Sequence, residues 1–208
     1  MSAKAPTPRK RPVQSRSKQT VATILQATAQ VLVQRGYDRT TTNAVAERAG
    51  VSIGSLYEYF PNKEALVAAL AEAHVADLIE RVDSLLIQAE GQDPPTLLSS
   101  LIQAGMDAHR ADPALHKVLV EQVPRIGALA DAMDVSTALQ QRIAVALSRR
   151  NPALPDERIR LLALVIETCI EALTHRAVLD EPEWLASGHV EREAQMLLEP
   201  YVVRALKC

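Results

Sequence analysis

The stretch "AGVSIGSLYEYFPNKEAL", residues 49–66, decides the fold of the N-terminal part of this 208-residue chain. It places three of the chain's six aromatic residues within four positions, from Tyr57 to Phe60. Ser52 is suited to cap a short helix. Pro61 ends that helix because its ring disfavours a helical conformation in the residue before it. The stretch therefore predicts a short helix between Ser52 and Pro61.

Two helices are predicted before this one. The first has apolar residues at helical spacing from Val21 to Leu32 and stops at Gly36. The second, in "TTTNAVAERAG" (40–50), has threonines for its N-cap and a terminating Gly50. Two short helices joined by a tight turn with glycine form a helix-turn-helix, whose second helix enters the DNA major groove.

The third helix has an apolar face and a polar face. If Leu56 points inward, Ile53 and Phe60 lie within about 60° of it. This trio is predicted to hold the helix on its support. The residues predicted to turn toward DNA are Gly54, Ser55, Tyr57 and Glu58.

Charge is divided unevenly along the chain. Residues 1–63 carry a net charge of +7, whereas the other 145 residues carry −9. This asymmetry indicates a polyanion-binding head on an acidic body. Residues 1–14 are predicted to be a disordered basic arm, which lies in the minor groove, neutralises phosphates or stays solvated.

The rest of the chain has helical patterns and no period-two alternation. The predicted class is all-α, with about nine helices: an N-terminal three-helix helix-turn-helix DNA-binding domain and a larger all-helical domain. The predicted helices after the third span 63–90, 96–111, 113–122, 125–150, 156–179 and 187–206, and the predicted domains span 1–14, 15–62 and 63–208.

Several classes of protein are disfavoured by the composition. No apolar run reaches the roughly 20 residues that cross a bilayer, and no secretory signal follows the basic N-terminus. We therefore expect a cytoplasmic protein. Cys169 and Cys208 form no disulfide framework or metal cluster. Serines, histidines and glycines lack catalytic or phosphate-loop spacing, so we expect neither an enzyme nor a cofactor.

The stretch "GYDRTTTNAVAERAGVSIGSLYEYFPNKEAL", Gly36 to Leu66, resembles the signature of the TetR family of bacterial transcriptional regulators. The resemblance implies that Tyr57 and Lys63 each bind a DNA phosphate. It implies that Thr42 caps the second helix and donates to a phosphate across the groove. Tyr59 falls at the groove edge, while Phe60 packs beneath the third helix. Such phosphate contacts fix register without reading sequence.

Reading of the bases then falls to short side chains. Ser52 and Ser55 are candidates, and Asn43 resembles a base-reading residue of some family members. Ile53 has two interpretations, as an inward packing residue or as a contact to a thymine methyl. Gly54 lets the backbone approach the groove floor.

The C-terminal helices are predicted to form a homodimer. The segment Arg158 to Leu179 is apolar nearly all round, as expected of a helix buried on two sides. The resemblance implies that this helix and the last one form a four-helix bundle with their symmetry mates. Pro200 should kink or end the last helix. The last helix supplies Val190, Met196, Leu197, Val202 and Leu206.

The same resemblance implies a cavity for a small-molecule effector, so the larger all-helical domain is expected to be a ligand-binding and dimerisation domain. Glu167, Glu171 and His175 share one helix face by their i, i+4, i+8 spacing, suited to a cationic or hydrogen-bonding ligand. The alternative is that they pair with arginines across the dimer or face solvent. A metal site is not predicted, because no third ligand has convincing spacing. The candidate ligand-binding residues are Gln103, Met106, His109, Gln122, Glu167, Thr168 and Glu171.

The leading hypothesis is a homodimeric repressor that binds a pseudo-palindromic operator in double-stranded DNA and is released by the effector. One alternative is a constitutive DNA-binding regulator without a sensor. Another is a helical adaptor whose basic head meets an acidic protein.

Overall fold

The structure, a computed structural model, describes residues 15–122 and 135–207. Within those ranges every regular element is a helix, which confirms the predicted all-α class. The helices are α1 (Ser15–Arg39), α2 (Thr42–Ala49), α3 (Ile53–Tyr59), α4 (Lys63–Gln88), α5 (Pro94–Ala111), α6 (Pro113–Gln122), α7 (Val135–Arg150), α8 (Asp156–Asp180), α9 (Pro182–Ala186) and α10 (His189–Ala205). The predicted basic arm and residues 125–134 of a predicted helix lie outside the described residues.

Residues 15–122 and 135–207 contain ten helices, one more than the nine predicted for the chain, and the additional one is short. α9 forms where "DEPEW" was interpreted only as a break. Pro182 occupies the start of this helix, where a missing N–H costs nothing. Proline therefore begins a turn of helix here rather than separating two others.

The chain divides into two compact units. Among described residues, the first unit contains 15–75 and 114–122, and the second contains 76–113 and 135–207. The first unit encloses a core shared by α1, α2, α3 and the start of α4, and α6 packs on a neighbouring cluster that includes Leu32 and Leu119. The most deeply buried members of the shared core are Ile24, Val45, Leu56, Phe60 and Leu66.

The path between α1 and α2 is set by Gly36. Its φ of 71° and ψ of 170° interrupt α1, which confirms that the first regular helix stops there. A further turn continues to Arg39. The hydroxyl of Thr40 donates to the carbonyl of Gly36 at 2.7 Å, which secures the turn that leads into α2.

Side-chain caps start the three helices that follow. Ser52 accepts a backbone N–H at the start of α3, as predicted, and Asn62 does so at the start of α4. The cap of α2 is Thr41 rather than Thr42, so that prediction was wrong. Thr42 is already the first helical residue, and its hydroxyl has a different partner. Gly50 ends α2 with φ of 67°.

The second unit is built around α8, which packs against α5, α7 and α10. Arg110 links α5 to α9 and α10. It donates to the carbonyl of Leu185 on α9 at 2.9 Å and to Glu191 on α10 at 3.0 Å. Pro200 lies inside α10, which continues to Ala205, so it does not end the helix. Residues buried in this core include Leu98, Ile102, Met106, Leu147, Leu162, Ile166 and Leu198.

Gly105 on α5 packs tightly against Ile170 on α8. A Cβ added there would stand 2.6 Å from Cγ2 of Ile170. Although alanine is favoured over glycine in a helix by about 1 kcal/mol, we expect Gly105→Ala to lower the free energy of unfolding by about 1–3 kcal/mol through overpacking. Denaturant unfolding measures this change.

A matched control is Gly54→Ala, because the nearest atom to a Cβ there is 3.8 Å away. It should leave stability unchanged or slightly raised. Adding Ile170→Ala to Gly105→Ala should cost less than the sum of the two single substitutions. Simple additivity would mean that the close contact is not the cause.

Candidate nucleic-acid interface and effector site

The third helix turns a polar face outward from a buried base. Leu56 is 0% exposed and Phe60 1%, whereas Tyr57 is 41% exposed. Ile53 is 37% exposed and does not join the core cluster, so the predicted inward packing of this residue was wrong. Ile53 is the first residue of α3. Ser52, Gly54 and Glu58 are also exposed.

Two hydroxyl groups from neighbouring helices meet at this face. The Oγ1 of Thr42 on α2 lies 3.0 Å from the Oη of Tyr57 on α3, and one donates to the other. The pair is exposed. Because each hydroxyl is both donor and acceptor, the pair can turn its second donor toward one phosphate oxygen. The sequence assigned the two residues separate phosphate contacts and did not predict their contact with each other.

Lys63 is held by Tyr37, a residue that sequence analysis did not select. Its Nζ donates to the Tyr37 carbonyl at 3.0 Å and stands 4.0 Å from the centre of the Tyr37 ring. An ammonium group has three donors, so two remain for a phosphate. In the sequence, the signal that could have identified Tyr37 was its position directly after Gly36 in the signature.

The hydroxyl of Tyr37 holds the tyrosine in place through a second hydrogen bond. It donates to Oε1 of Glu64 at 3.2 Å. Burial, followed by the negative charge of Glu64, raises the pKa of Tyr37 to about 12. The hydroxyl therefore stays protonated and keeps donating throughout the neutral range.

The candidate base-reading residues occupy different environments. Ser52 Oγ accepts the backbone N–H of Ser55 at 3.0 Å and lies 2.9 Å from its hydroxyl. Capping thus occupies part of the hydrogen-bonding capacity of Ser52. Asn43 is exposed on the first turn of α2, while Tyr59 is half-buried against the first unit's core.

The predicted effector residues do not share one environment. Met106, His109 and Glu167 are buried, with exposures of 0%, 6% and 4%. Gln103 and Thr168 are exposed instead. The side chain of Gln122 lies outside the described residues. Met106, His109 and Glu167 therefore lie in the apolar surroundings that were predicted, whereas Gln103 and Thr168 do not.

Two carboxylates on α8, those of Glu167 and Glu171, interact with each other. Gln140 on α7 donates to Oε2 of Glu167 at 3.0 Å. Burial raises the pKa of Glu171, and the charge of Glu167 and a hydrogen bond between the two carboxyl groups raise it further. Sequence spacing predicted the shared face of the glutamates but not Gln140, because that contact depends on the packing of α7.

A pair of histidines from different helices lies in the same unit. The rings of His109 on α5 and His175 on α8 have centroids 5.2 Å apart. The Nδ1–H of His109 donates to the Gly105 carbonyl at 2.6 Å. Burial lowers the pKa of His175, although the charge of Glu167 opposes this shift. The lowered pKa favours the neutral form of the His175 ring.

A separate groove of about 620 Å³ lies between α8, α9 and α10. Leu173, Trp184 and Val190 contribute its apolar lining. None of the described residues predicted to bind the effector lines this groove. It is therefore distinct from the predicted effector residues.

Among the described helices, none has the length and apolar character needed to cross a bilayer.

Comparison with known proteins places both parts of the chain. Residues 24–70 match the family described as "Bacterial regulatory proteins, tetR family". Residues 93–201 match "Tetracyclin repressor-like, C-terminal domain". The HTH-type transcriptional repressor KstR of Rhodococcus jostii (strain RHA1) is 36% identical over 110 residues, 52% of this chain and 48% of KstR. The chain thus spans about half the length of the curated relatives it matches.

Solved structures share the fold over most of the chain. A transcriptional regulator from Pseudomonas aeruginosa PAO1 has a TM-score of 0.75 at 19% identity, covering 92% of each chain. Regulator FadR from Bacillus subtilis, solved with stearoyl-CoA, has a TM-score of 0.69 at 20% identity, covering 85% of this chain and 96% of FadR. Together with the family matches, these likenesses confirm the resemblance found in the signature: the chain belongs to the TetR family of bacterial transcriptional regulators.

Proposed function

We propose that the protein is a homodimeric transcriptional repressor that binds a pseudo-palindromic operator and is released by a small-molecule effector. The observation that carries the proposal is the outward polar face of α3, flanked by the Thr42–Tyr57 hydroxyl pair and by Lys63. Hydroxyl and ammonium groups are suited to phosphates on either side of a groove. The short α3 between them is then placed to touch base edges.

A second copy of the chain is the expected partner. One helix-turn-helix reads only a few base pairs, so specific binding requires two half-sites and a two-fold dimer. Large apolar side chains on α8 and α10 are exposed in the single chain, and a helix-on-helix contact between copies would remove them from water. These are Leu161 (45%), Leu164 (44%), Met196 (63%) and Leu197 (59%).

Effector binding is proposed for the second unit. Support comes from its buried polar groups, above all Glu167, and from FadR of the same fold, whose structure was solved with stearoyl-CoA. An effector that favours one arrangement of the dimer over another changes DNA affinity by its coupling free energy, typically about 1–3 kcal/mol or roughly 5- to 150-fold.

DNA binding is tested by titrating the untagged protein into labelled fragments from upstream of its own gene and neighbouring genes, with fluorescence anisotropy at several salt concentrations. We expect one or more fragments to bind specifically. The logarithm of the binding constant should fall with log salt by about 0.9 for each phosphate contacted. Failure of every fragment to bind above a random-sequence control at moderate salt would contradict the proposal and favour the adaptor.

A further inference from the structure

We propose that Tyr37 is a positioning residue for DNA binding, which holds the ammonium group of Lys63 in place for a phosphate before DNA arrives. The inference rests on the proposed function and adds a residue to which the sequence gave no role. All the groups involved belong to the first unit. The arrangement therefore does not depend on any other part of the chain.

The ammonium group of Lys63 is held by two parts of the same residue. Its Nζ donates to the Tyr37 carbonyl at 3.0 Å and stands 4.0 Å from the centre of the Tyr37 ring. A cation above a tyrosine ring is attracted by the negative face of the ring. A lysine side chain that binds a phosphate must give up rotational freedom. In this protein much of that freedom is lost when the chain folds, not when DNA binds.

Tyr37 is itself held at three points. Its hydroxyl donates to Oε1 of Glu64 at 3.2 Å. Its carbonyl also accepts the backbone N–H of Thr40 at 3.2 Å. A carbonyl oxygen has two lone pairs, so Thr40 and Lys63 can share it. The side chain packs against the apolar cluster that contains Leu32. Tyr37 is therefore a fixed support for the lysine.

These contacts tie the start of α4 to the corner between α1 and α2. Thr42 begins α2 only five residues after Tyr37, and its hydroxyl pairs with that of Tyr57. Tyr37 thus anchors Lys63 to the backbone segment that leads to the other proposed phosphate-binding group. Phosphate contacts set the register of a protein on DNA, and this register needs a fixed spacing between the groups that make them.

A positioning role and a purely structural role of Tyr37 predict different results. A structural role would weaken DNA binding whether or not Lys63 is present. A positioning role weakens binding only while Lys63 is present, because it acts through that side chain. The two roles are therefore separated by combining substitutions at both residues.

The arrangement is tested without DNA by NMR of the untagged full-length protein, whose six lysines are labelled with ¹³C-methyl groups by reductive methylation. The Lys63 signal is identified by its absence in Lys63→Ala. We expect the Tyr37 ring to shift this signal upfield. Tyr37→Leu keeps an apolar side chain but has no ring, so the shift should disappear. An unshifted Lys63 signal in the wild type would overturn the proposal.

Two controls accompany the NMR test. The signal of Lys207, an exposed residue of the second unit, should not move in Tyr37→Leu. Tyr201→Leu makes the same chemical change at a half-buried tyrosine of the second unit and should leave the Lys63 signal shifted. Thermal melting by circular dichroism shows that each variant is folded.

The effect on binding is measured by fluorescence anisotropy at several salt concentrations, with an upstream fragment that the wild type binds. Tyr37→Leu should weaken binding by about 3- to 10-fold, because Lys63 keeps its charge but loses its fixed position. The salt slope should stay that of the wild type, since the number of phosphates neutralised is unchanged. In the Lys63→Ala protein, adding Tyr37→Leu should cause no further loss.

Tyr37→Phe is the milder variant, because it keeps the ring and the carbonyl and removes only the hydrogen bond to Glu64. It should retain the upfield shift and weaken binding less than Tyr37→Leu does. Wild-type affinity in Tyr37→Leu would refute the positioning role alone. An equal loss with and without Lys63 would also refute it and make Tyr37 structural. A wild type that binds no fragment would instead refute the repressor, and the positioning role with it.

Discussion

Leu197→Glu should convert the protein to monomers and lower its affinity for a two-half-site operator by about 10²- to 10⁴-fold. The substitution puts a charge on the exposed apolar surface of α8 and α10, where Leu197 is 59% exposed in the single chain. Burying that carboxylate against a second copy of the chain is unfavourable unless an opposite charge pairs with it. The monomer then loses the effective concentration that makes binding of the second half-site intramolecular. Light scattering gives the mass, and anisotropy gives the affinity.

A control for added surface charge is Ile87→Glu on α4. Ile87 is 72% exposed and lies outside the proposed dimer surface. This variant should remain dimeric with wild-type affinity. A Leu197→Glu protein that stays dimeric would show that α10 does not form the interface. A monomer that retains full operator affinity would show that binding does not require a two-fold dimer.

Tyr57→Phe and Lys63→Ala should each weaken operator binding by about tenfold or more. Tyr57→Phe keeps the ring and removes only the hydroxyl that pairs with Thr42. A hydrogen bond to a charged group contributes about 1.5–3 kcal/mol, and the dimer loses it twice. Lys63→Ala also removes one charge per half-site, so the salt slope should fall by about 2 for the dimer.

Lys207→Ala is the matched control for lost charge, because Lys207 is exposed near the C-terminus in the second unit. It should change neither affinity nor slope appreciably. Wild-type affinity in both Tyr57→Phe and Lys63→Ala would discard the assigned phosphate contacts. A weaker Lys63→Ala complex with an unchanged salt slope would instead assign Lys63 a structural role through Tyr37.

Local structure in the first unit was largely predictable from the sequence. Gly36, Ser52 and Asn62 act within three or four residues of themselves, so residue type and spacing were sufficient. Thr41 and Thr42 are chemically identical, and only the helix start decides which of them caps α2. The effect of a proline likewise depends on where the helix around it begins and ends. Pro182 begins α9, whereas Pro200 lies inside α10, which runs on to Ala205.

Contacts between distant residues could not be predicted in the same way. Lys63 meets Tyr37 across 26 positions, and Gln140 meets Glu167 across 27. His109 meets His175 only because α5 packs against α8. Side-chain spacing along one helix identifies which residues share a face, but the partner on another helix depends on tertiary packing. The candidate DNA surface is built from residues close together in the sequence, whereas the contact between His109 and His175 joins residues far apart in it.

Hydroxyl-radical footprinting on a bound upstream fragment tests most directly that two copies of α3 read DNA. Two protected blocks should appear with two-fold symmetry, their centres about 10–10.5 base pairs or a multiple apart. Both should weaken together in Tyr57→Phe. A single unsymmetrical block, or a footprint unchanged by Tyr57→Phe and Lys63→Ala, would contradict that claim.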